Sequence, residues 1–212
     1  MEPAGVGARG KSAGIGIMGG TFDPIHYGHL VTAEGARSDF GLDTVVFVPA
    51  ARPPHKEPRR ILAAEHRLTM TTLAVDTNPY FSVSAMEVER RGPSYTIDTV
   101  REMQLCYPGR EIYFITGADA VLEILTWKNV GELMEMCYFI AATRPGYQLE
   151  NLQVKLASLP PGRLARIHSL VVPALAISST DIRQRVREGR PIKYLLPEVV
   201  EDHIHREGLY RT

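Results

Sequence analysis

The sequence has only two cysteines, one tryptophan and no excess of either charge: 24 Lys+Arg stand against 24 Asp+Glu in 212 residues. Without a cationic excess there is no long-range field toward nucleic acid or an anionic membrane surface, which argues against both as partners. No apolar run approaches the roughly 20 residues of a membrane-spanning helix. The opening MEPAGVGARGKSA also lacks the hydrophobic stretch of a secretory signal. Cys106 and Cys137 are isolated and fit no metal or redox spacing. Both are expected to be small buried apolar residues of a reduced, cytoplasmic protein. There is no internal repeat, low-complexity tract or linker long enough to divide domains.

What is present is a run of short β-branched or aromatic segments alternating with helical patterns, which predicts a parallel sheet covered by helices. Strands are expected at Gly14 to Met18, TVVFVP ending at Pro49, Phe81 to Ser84, Glu111 to Thr116, and CYFIAAT ending at Thr143. Arg166 to Val172 is a weaker segment, either an edge strand or a connection. Helices are expected over Gly28 to Asp39 and Ala63 to Asp76, then from about Thr96 and from Gly117-Ala118-Asp119. From Ser178 the tail reads as two helices broken at Arg190-Pro191 and Leu196-Pro197. The expected fold is thus a doubly wound α/β sheet: a flexible arm at 1–13, one domain at 14–212, and a small helical extension from about 178. Ligands of such a sheet bind beyond the carboxyl ends of its strands.

Two motif matches fail on context. Gly5 to Ser12 (GVGARGKS) satisfies the P-loop expression, but a strand follows it where a helix is required. Gly14 to Gly19 (GIGIMG) spells G-x-G-x-x-G, yet here the glycines fall within the expected strand and not in the turn after it.

The chemistry gathers in Gly19-Gly20-Thr21-Phe22-Asp23-Pro24-Ile25-His26-Tyr27-Gly28-His29, directly after the first strand. The paired glycines let backbone approach a ligand, and Thr21 adds hydroxyl and N–H donors. His26 and His29 are three apart, so a helical turn projects both to one side, at a helix N-terminus that favours anionic phosphate. No zinc spacing accompanies them.

This segment resembles the signature of the H-x-G-H nucleotidyltransferase superfamily, and Ser178-Ser179-Thr180-Asp181-Ile182-Arg183 resembles its second signature. The likeness runs from about Ile15 to Tyr210. Pro53-Pro54-His55-Lys56, Glu87-Val88-Glu89-Arg90 with Ser94-Tyr95-Thr96, Gly117-Ala118-Asp119 with Trp127, Tyr194 to Pro197 and Leu209-Tyr210 narrow it. By these the chain is similar to bacterial nicotinate-nucleotide adenylyltransferases, which implies transfer of AMP from ATP to nicotinate mononucleotide in NAD biosynthesis.

The resemblance implies roles residue by residue. His26 and His29 would meet the ATP phosphates, with His29 nearest the transferring group and imidazolium available near neutral pH. Gly19, Gly20, Thr21 and Phe22 would line the nucleotide, and Asp119 would contact the ribose. Ser178, Ser179 and Thr180 would hold phosphate at a helix start, with Arg183 clamping the β- and γ-phosphates; a simple helix cap is the plainer reading of the same residues. For the mononucleotide, Arg52, His55 and Lys56 suit its phosphate, Trp127 its ring, Thr96 its carboxylate, and Arg144 lies near it; a solvated loop and a packing aromatic are the plainer readings. Glu87, Glu89, Arg90 and Arg91 read as scaffold and solvated surface. No residues are assigned to a metal, and Mg2+ is expected to arrive on ATP. Two alternatives stay open: the same chemistry on nicotinamide mononucleotide or phosphopantetheine, and, more remotely, a non-catalytic nucleotide- or RNA-binding module. A homo-oligomer is compatible with either.

Overall fold

The computed structural model describes residues 14–53, 61–143, 156, 157, 159–173 and 175–211. The arm at 1–13, with its P-loop match, lies outside the described residues, as do His55, Lys56 and Arg144.

Six strands, β1 (Gly14–Gly20), β2 (Leu42–Pro49), β3 (Phe81–Val83), β4 (Ile112–Gly117), β5 (Tyr138–Thr143) and β6 (Ile167–Val171), form one sheet. Their order is β3-β2-β1-β4-β5-β6 and every pairing is parallel. The chain winds outward one way from β1 to β3 and the other way from β4 to β6. The order therefore reverses between β1 and β4, and that switch point opens a crevice at their carboxyl ends.

Helices cover both faces because the strands alternate apolar side chains to both sides, as a doubly covered parallel sheet requires. On one face Met18, Val45, Phe47, Ile115 and Ile140 pack against α1 (Tyr27–Phe40), α2 (Ala64–Val75), α8 (Ser179–Arg187) and α9 (Glu198–Arg206). On the other, Ile15, Ile17, Val46, Phe114 and Phe139 pack against α4 (Thr96–Cys106), α5 (Ala118–Leu122) and α6 (Val130–Met136). Short helices α3 (Met86–Glu89) and α7 (Pro161–Leu164) fill connections.

The glycines of β1 serve packing. A Cβ on Gly16 would lie 3.0 Å from both Ile115 Cδ1 and Leu42 Cδ1, closer than real Cβ contacts normally approach. The G-x-G-x-x-G match is thus the strand itself, with no turn in it for a dinucleotide.

The weak segment at Arg166 to Val172 is a strand, paired parallel to β5 at the sheet edge. The tail forms two helices separated near the expected prolines: α8 ends before Gly189, which sits at φ 66°, and Pro197 caps α9. Helices α3, α6 and α7 have no counterpart in the periodicity reading, since each spans two turns or fewer. Cys137 is buried as expected, but Cys106 is exposed on the last turn of α4; both are free thiols.

Candidate active site

The crevice at the switch point is a cleft of about 320 Å³ lined by Gly19, Gly20, His26, Gly28, His29, Thr116, Gly117 and Thr143, among others. Both histidines come from the start of α1. His26 is its N-cap, in extended backbone at φ −153°, and His29 lies one turn in. The two rings stack with centroids 3.8 Å apart and planes 29° apart. The His26 backbone N–H donates to His29 Nδ1 at 3.2 Å, so a neutral His29 carries its proton on Nε2.

His26 departs from expectation in charge. It is 7% exposed, and burial lowers its pKa from 6.5 to about 4, so the free protein holds it neutral at physiological pH. The anticipated imidazolium at this position is therefore absent from the free protein. Its Nδ1 has no hydrogen-bond partner among the described residues.

Phe22 also sits differently from a simple lining residue. Its side chain is buried, and its ring meets the edge of His29 at 5.1 Å with planes 86° apart. Its backbone is left-handed, at φ 48°, a conformation non-glycine residues rarely hold without support from their surroundings.

That support comes from distant parts of the chain. Arg67 of α2, 1% exposed, donates from NH1 to Thr21 O at 2.7 Å, from Nε to Leu62 O at 2.9 Å and from NH2 to Ala51 O at 3.3 Å. Burial lowers its pKa, while Asp23 acts in the opposite sense. Ser179 Oγ donates to Pro24 O at 2.9 Å, and Arg183 NH1 donates to Asp23 O at 2.6 Å. The second signature thus docks on the first. Ser178 caps α8 by accepting from the Asp181 N–H at 3.1 Å, and Thr180 Oγ1 accepts from Arg183 NH2 at 3.3 Å. In the free protein, Ser179 and Arg183 hold the β1–α1 connection directly, beyond the phosphate role expected of them. Asp119 is exposed at the first turn of α5, next to Gly117 of the cleft.

Two further cavities adjoin the strand ends. One, of about 610 Å³, is lined by Arg52 with Arg67, Arg90, Arg91 and Glu89. The other, of about 340 Å³, brings Thr96 and Trp127 together with Ser94, Tyr95 and Lys128. Trp127 packs edge-on against Phe114 and Phe139, at 5.8 and 6.2 Å. Lys128 lies 4.2 Å above the Tyr95 ring and 3.4 Å from Asp98.

Hydrogen bonds connect all three spaces. The Ala50 N–H donates to Gly20 O at 2.8 Å, and the Ala51 and Arg52 N–H groups donate to Ser94 Oγ at 3.0 and 3.3 Å. Glu87, read as solvated, is instead buried: Thr99 Oγ1 donates to it, and desolvation raises its pKa. It underpins α4, so its scaffold role stands and its solvent exposure does not. Arg67 went unnoticed in the sequence, and Ser94 was noted only as part of a family motif, because an arginine in a helix and a serine in a polar loop carry no local signal of what they bond.

Among the described residues no group of three or more His, Cys, Asp or Glu is disposed to hold a metal, and no helix is long and apolar enough to cross a membrane.

The cytidylyltransferase-like family model matches residues 17–185. The chain is 61% identical over 198 residues to the probable nicotinate-nucleotide adenylyltransferase of Moorella thermoacetica, covering 93% of this chain and 91% of that protein. The probable nicotinate-nucleotide adenylyltransferase of a Thermoanaerobacter species is 57% identical over 198 residues, 93% of this chain and 94% of its own. Among solved structures, Plasmodium falciparum nicotinic acid mononucleotide adenylyltransferase complexed with NaAD matches with a TM-score of 0.71. That match covers 93% of this chain and 97% of that one at 20% identity, a likeness of fold.

Proposed function

The chain belongs to the nicotinate-nucleotide adenylyltransferases, within the cytidylyltransferase-like family, and from that premise we infer that it transfers AMP from ATP to nicotinate mononucleotide. The products are nicotinate adenine dinucleotide and pyrophosphate. A 5′-phosphate oxygen of the mononucleotide attacks the α-phosphorus, a new P–O bond forms, and the bond to the β-phosphate's bridging oxygen breaks as pyrophosphate departs. The acceptor phosphate is already ionised at neutral pH, so the reaction needs alignment and charge stabilisation more than a strong base.

The observation that carries the site assignment is the docking of two sequence-distant signatures beside one cleft: stacked His26 and His29 line it at the α1 N-terminus, and Ser179 and Arg183 of α8 bond the Pro24 and Asp23 carbonyls of the turn that leads into them. In our assignment the triphosphate lies along the Gly19-Gly20 backbone against the α1 N-terminus, where the helix dipole and free N–H groups favour anions. His29 donates to the transferring group. His26, neutral and desolvated, offers a hydrogen bond without a charge. Thr21 and Phe22 contribute backbone, Asp119 the ribose contact, and Ser178, Ser179, Thr180 and Arg183 border the β- and γ-phosphates.

For the acceptor, Arg52 faces the mononucleotide phosphate, with His55, Lys56 and Arg144 assigned to the same ligand. Trp127 stacks on the pyridine ring, and Thr96, at the start of α4, receives the carboxylate. Backbone donors there favour a carboxylate over a carboxamide, whose NH2 would set donor against donor. Mg2+ enters as part of the substrate, bound to phosphate oxygens; the imidazole, hydroxyl and N–H donors of the cleft suit those oxygens and supply no carboxylate cage. A cytoplasmic location goes with this reading, since ATP is drawn from that pool and both thiols are free.

Pyrophosphate release, measured with ATP and each of nicotinate mononucleotide, nicotinamide mononucleotide and phosphopantetheine, tests the substrate. Turnover should be greatest with nicotinate mononucleotide. Dominance of phosphopantetheine would remove the acceptor assignment.

A further inference from the structure

The connection bearing His26 is tied to the last turn of the described chain by a part-buried side-chain bond. Tyr210 OH donates to Asp23 Oδ1 at 2.7 Å across 187 positions of sequence. Asp23 is 4% exposed, and its second oxygen faces the Leu62 N–H at 3.5 Å and Arg183 NH1 at 3.8 Å. Tyr210 is itself held in left-handed backbone at φ 64°, just after Gly208 at φ 62°. The Leu209 N–H bonds Ile204 O at 2.9 Å and its side chain is buried. The tail is therefore turned back and anchored so that the partly buried phenol packs against the core, in a conformation a bulky residue does not adopt unaided.

We propose that Tyr210 is a positioning residue for adenylyl transfer: its hydroxyl fixes Asp23, and Asp23 fixes the turn that carries His26 and His29. The inference rests on the reading of the cleft as the phosphate-transfer site. Tyr210 does not line that cleft, so it acts through Asp23 alone. Four other anchors of the turn hold backbone atoms, namely Arg67 on Thr21 O, Arg183 on Asp23 O, Ser179 on Pro24 O and Leu195 O on the Tyr27 N–H, and the Asp23 side chain meets only longer contacts from Leu62 and Arg183. The bond from Tyr210 is the shortest one to the Asp23 side chain, which otherwise would be free to rotate between Leu62 and Arg183. Phe22, adjacent to Asp23, carries any rotation of the turn directly to the edge of the His29 ring. Burial and the facing Asp23 carboxylate both push the phenol pKa upward, so the hydroxyl stays a donor throughout the working pH range.

A purely structural phenol would move stability and leave chemistry alone, which separates the two roles. Tyr210→Phe removes the hydroxyl and keeps the ring. With circular dichroism confirming the fold, kcat for pyrophosphate release at saturating substrates should fall about tenfold, a fraction of the ~100-fold that a 1 Å misplacement costs. The KM for nicotinate mononucleotide should change by less than about twofold, since the bond removed touches none of the residues assigned to that ligand. Ring resonances of His26 and His29 should shift in nitrogen–proton spectra, while those of His205, exposed on α9, should not. Asp23→Asn keeps an acceptor for the phenol but loses the charge facing Arg183, and should also lower kcat; the double variant should be no slower than the slower single one.

Unchanged kcat in Tyr210→Phe, with or without a lower melting temperature, overturns the proposal, as does additivity in the double variant. Should Tyr210→Phe fail to fold, Asp23→Asn carries the decision, and normal turnover there overturns it equally. A wild-type chain that releases no pyrophosphate refutes the underlying function; an active wild type beside an equally active Tyr210→Phe refutes only this inference.

Discussion

His26 links the active site to the acid stability of the whole protein. Burial lowers its pKa from 6.5 to about 4, so between those values the unfolded chain binds a proton that the folded chain refuses. The contribution to stability is complete above pH 6.5, is lost as pH falls through the window, and levels off below about pH 4. Two-site proton linkage gives a loss of ~2 kcal/mol between pH 7 and pH 5, out of ~3 kcal/mol in all. Such a loss is a large part of a typical domain's stability. Urea unfolding of the wild type and of His26→Asn at pH 7, 6 and 5 measures it, since asparagine is polar and does not titrate.

The difference between the two chains isolates this histidine. Burial also lowers the pKa of His203, which adds a loss of the same sign. Burial raises that of Glu87, which works oppositely: its folded form favours the proton, so it gains relative stability as pH falls toward its raised pKa. Both are common to the two chains and cancel. The wild type should lose ~2 kcal/mol more than His26→Asn on going from pH 7 to pH 5. Parallel losses would show that His26 is not held neutral in the folded state, and the argument for an uncharged imidazole in the cleft would fail.

Three further outcomes follow from the geometry. His29→Ala should lower kcat by about 10²–10³-fold with the fold intact, the scale of losing one donor to a developing anion; near-normal turnover would remove its assigned role. Ser94→Ala strips the acceptor from the Ala51 and Arg52 N–H groups, at a cost of about 1–3 kcal/mol. It should raise KM for the mononucleotide while leaving KM for ATP in place, and equal rises in both would contradict the division of the cavities. Trp127 is the only tryptophan, so its fluorescence should quench with nicotinate mononucleotide alone and stay constant with ATP alone. A reversed response would move the pyridine subsite elsewhere.

The central strands were readable because β2, β4 and β5 carry the apolar runs VVFV, IYFI and YFIAA, and burial on both faces needs continuous apolar runs. β6 was ambiguous because its sequence IHSLV mixes polar residues into a strand with one neighbour only. The seven-residue α6 follows Asn129 in left-handed backbone and is too short for periodicity to declare. The β1–α1 connection stood out in the sequence as a candidate ligand site because paired glycines and paired histidines after a strand are rare without a chemical reason. Its supports were not. Arg67 is buried by three loop carbonyls that only the fold assembles, and Asp23 meets Tyr210 only after the whole sheet has formed between them. The charge of His26 was misjudged for the same reason: a histidine in a glycine-rich loop looks solvated, whereas desolvation depends on what packs over it.

The central claim is that one triphosphate is gripped at the start of α1 by His29 and the β1 glycines. A crystal structure with a non-hydrolysable ATP analogue and nicotinate mononucleotide tests it most directly. The account predicts the α-phosphate within hydrogen-bonding distance of His29 Nε2 and over Gly19-Gly20, with the mononucleotide phosphate in line opposite the leaving pyrophosphate. A triphosphate bound away from this cleft, or with its α-phosphate turned from His29, would contradict it.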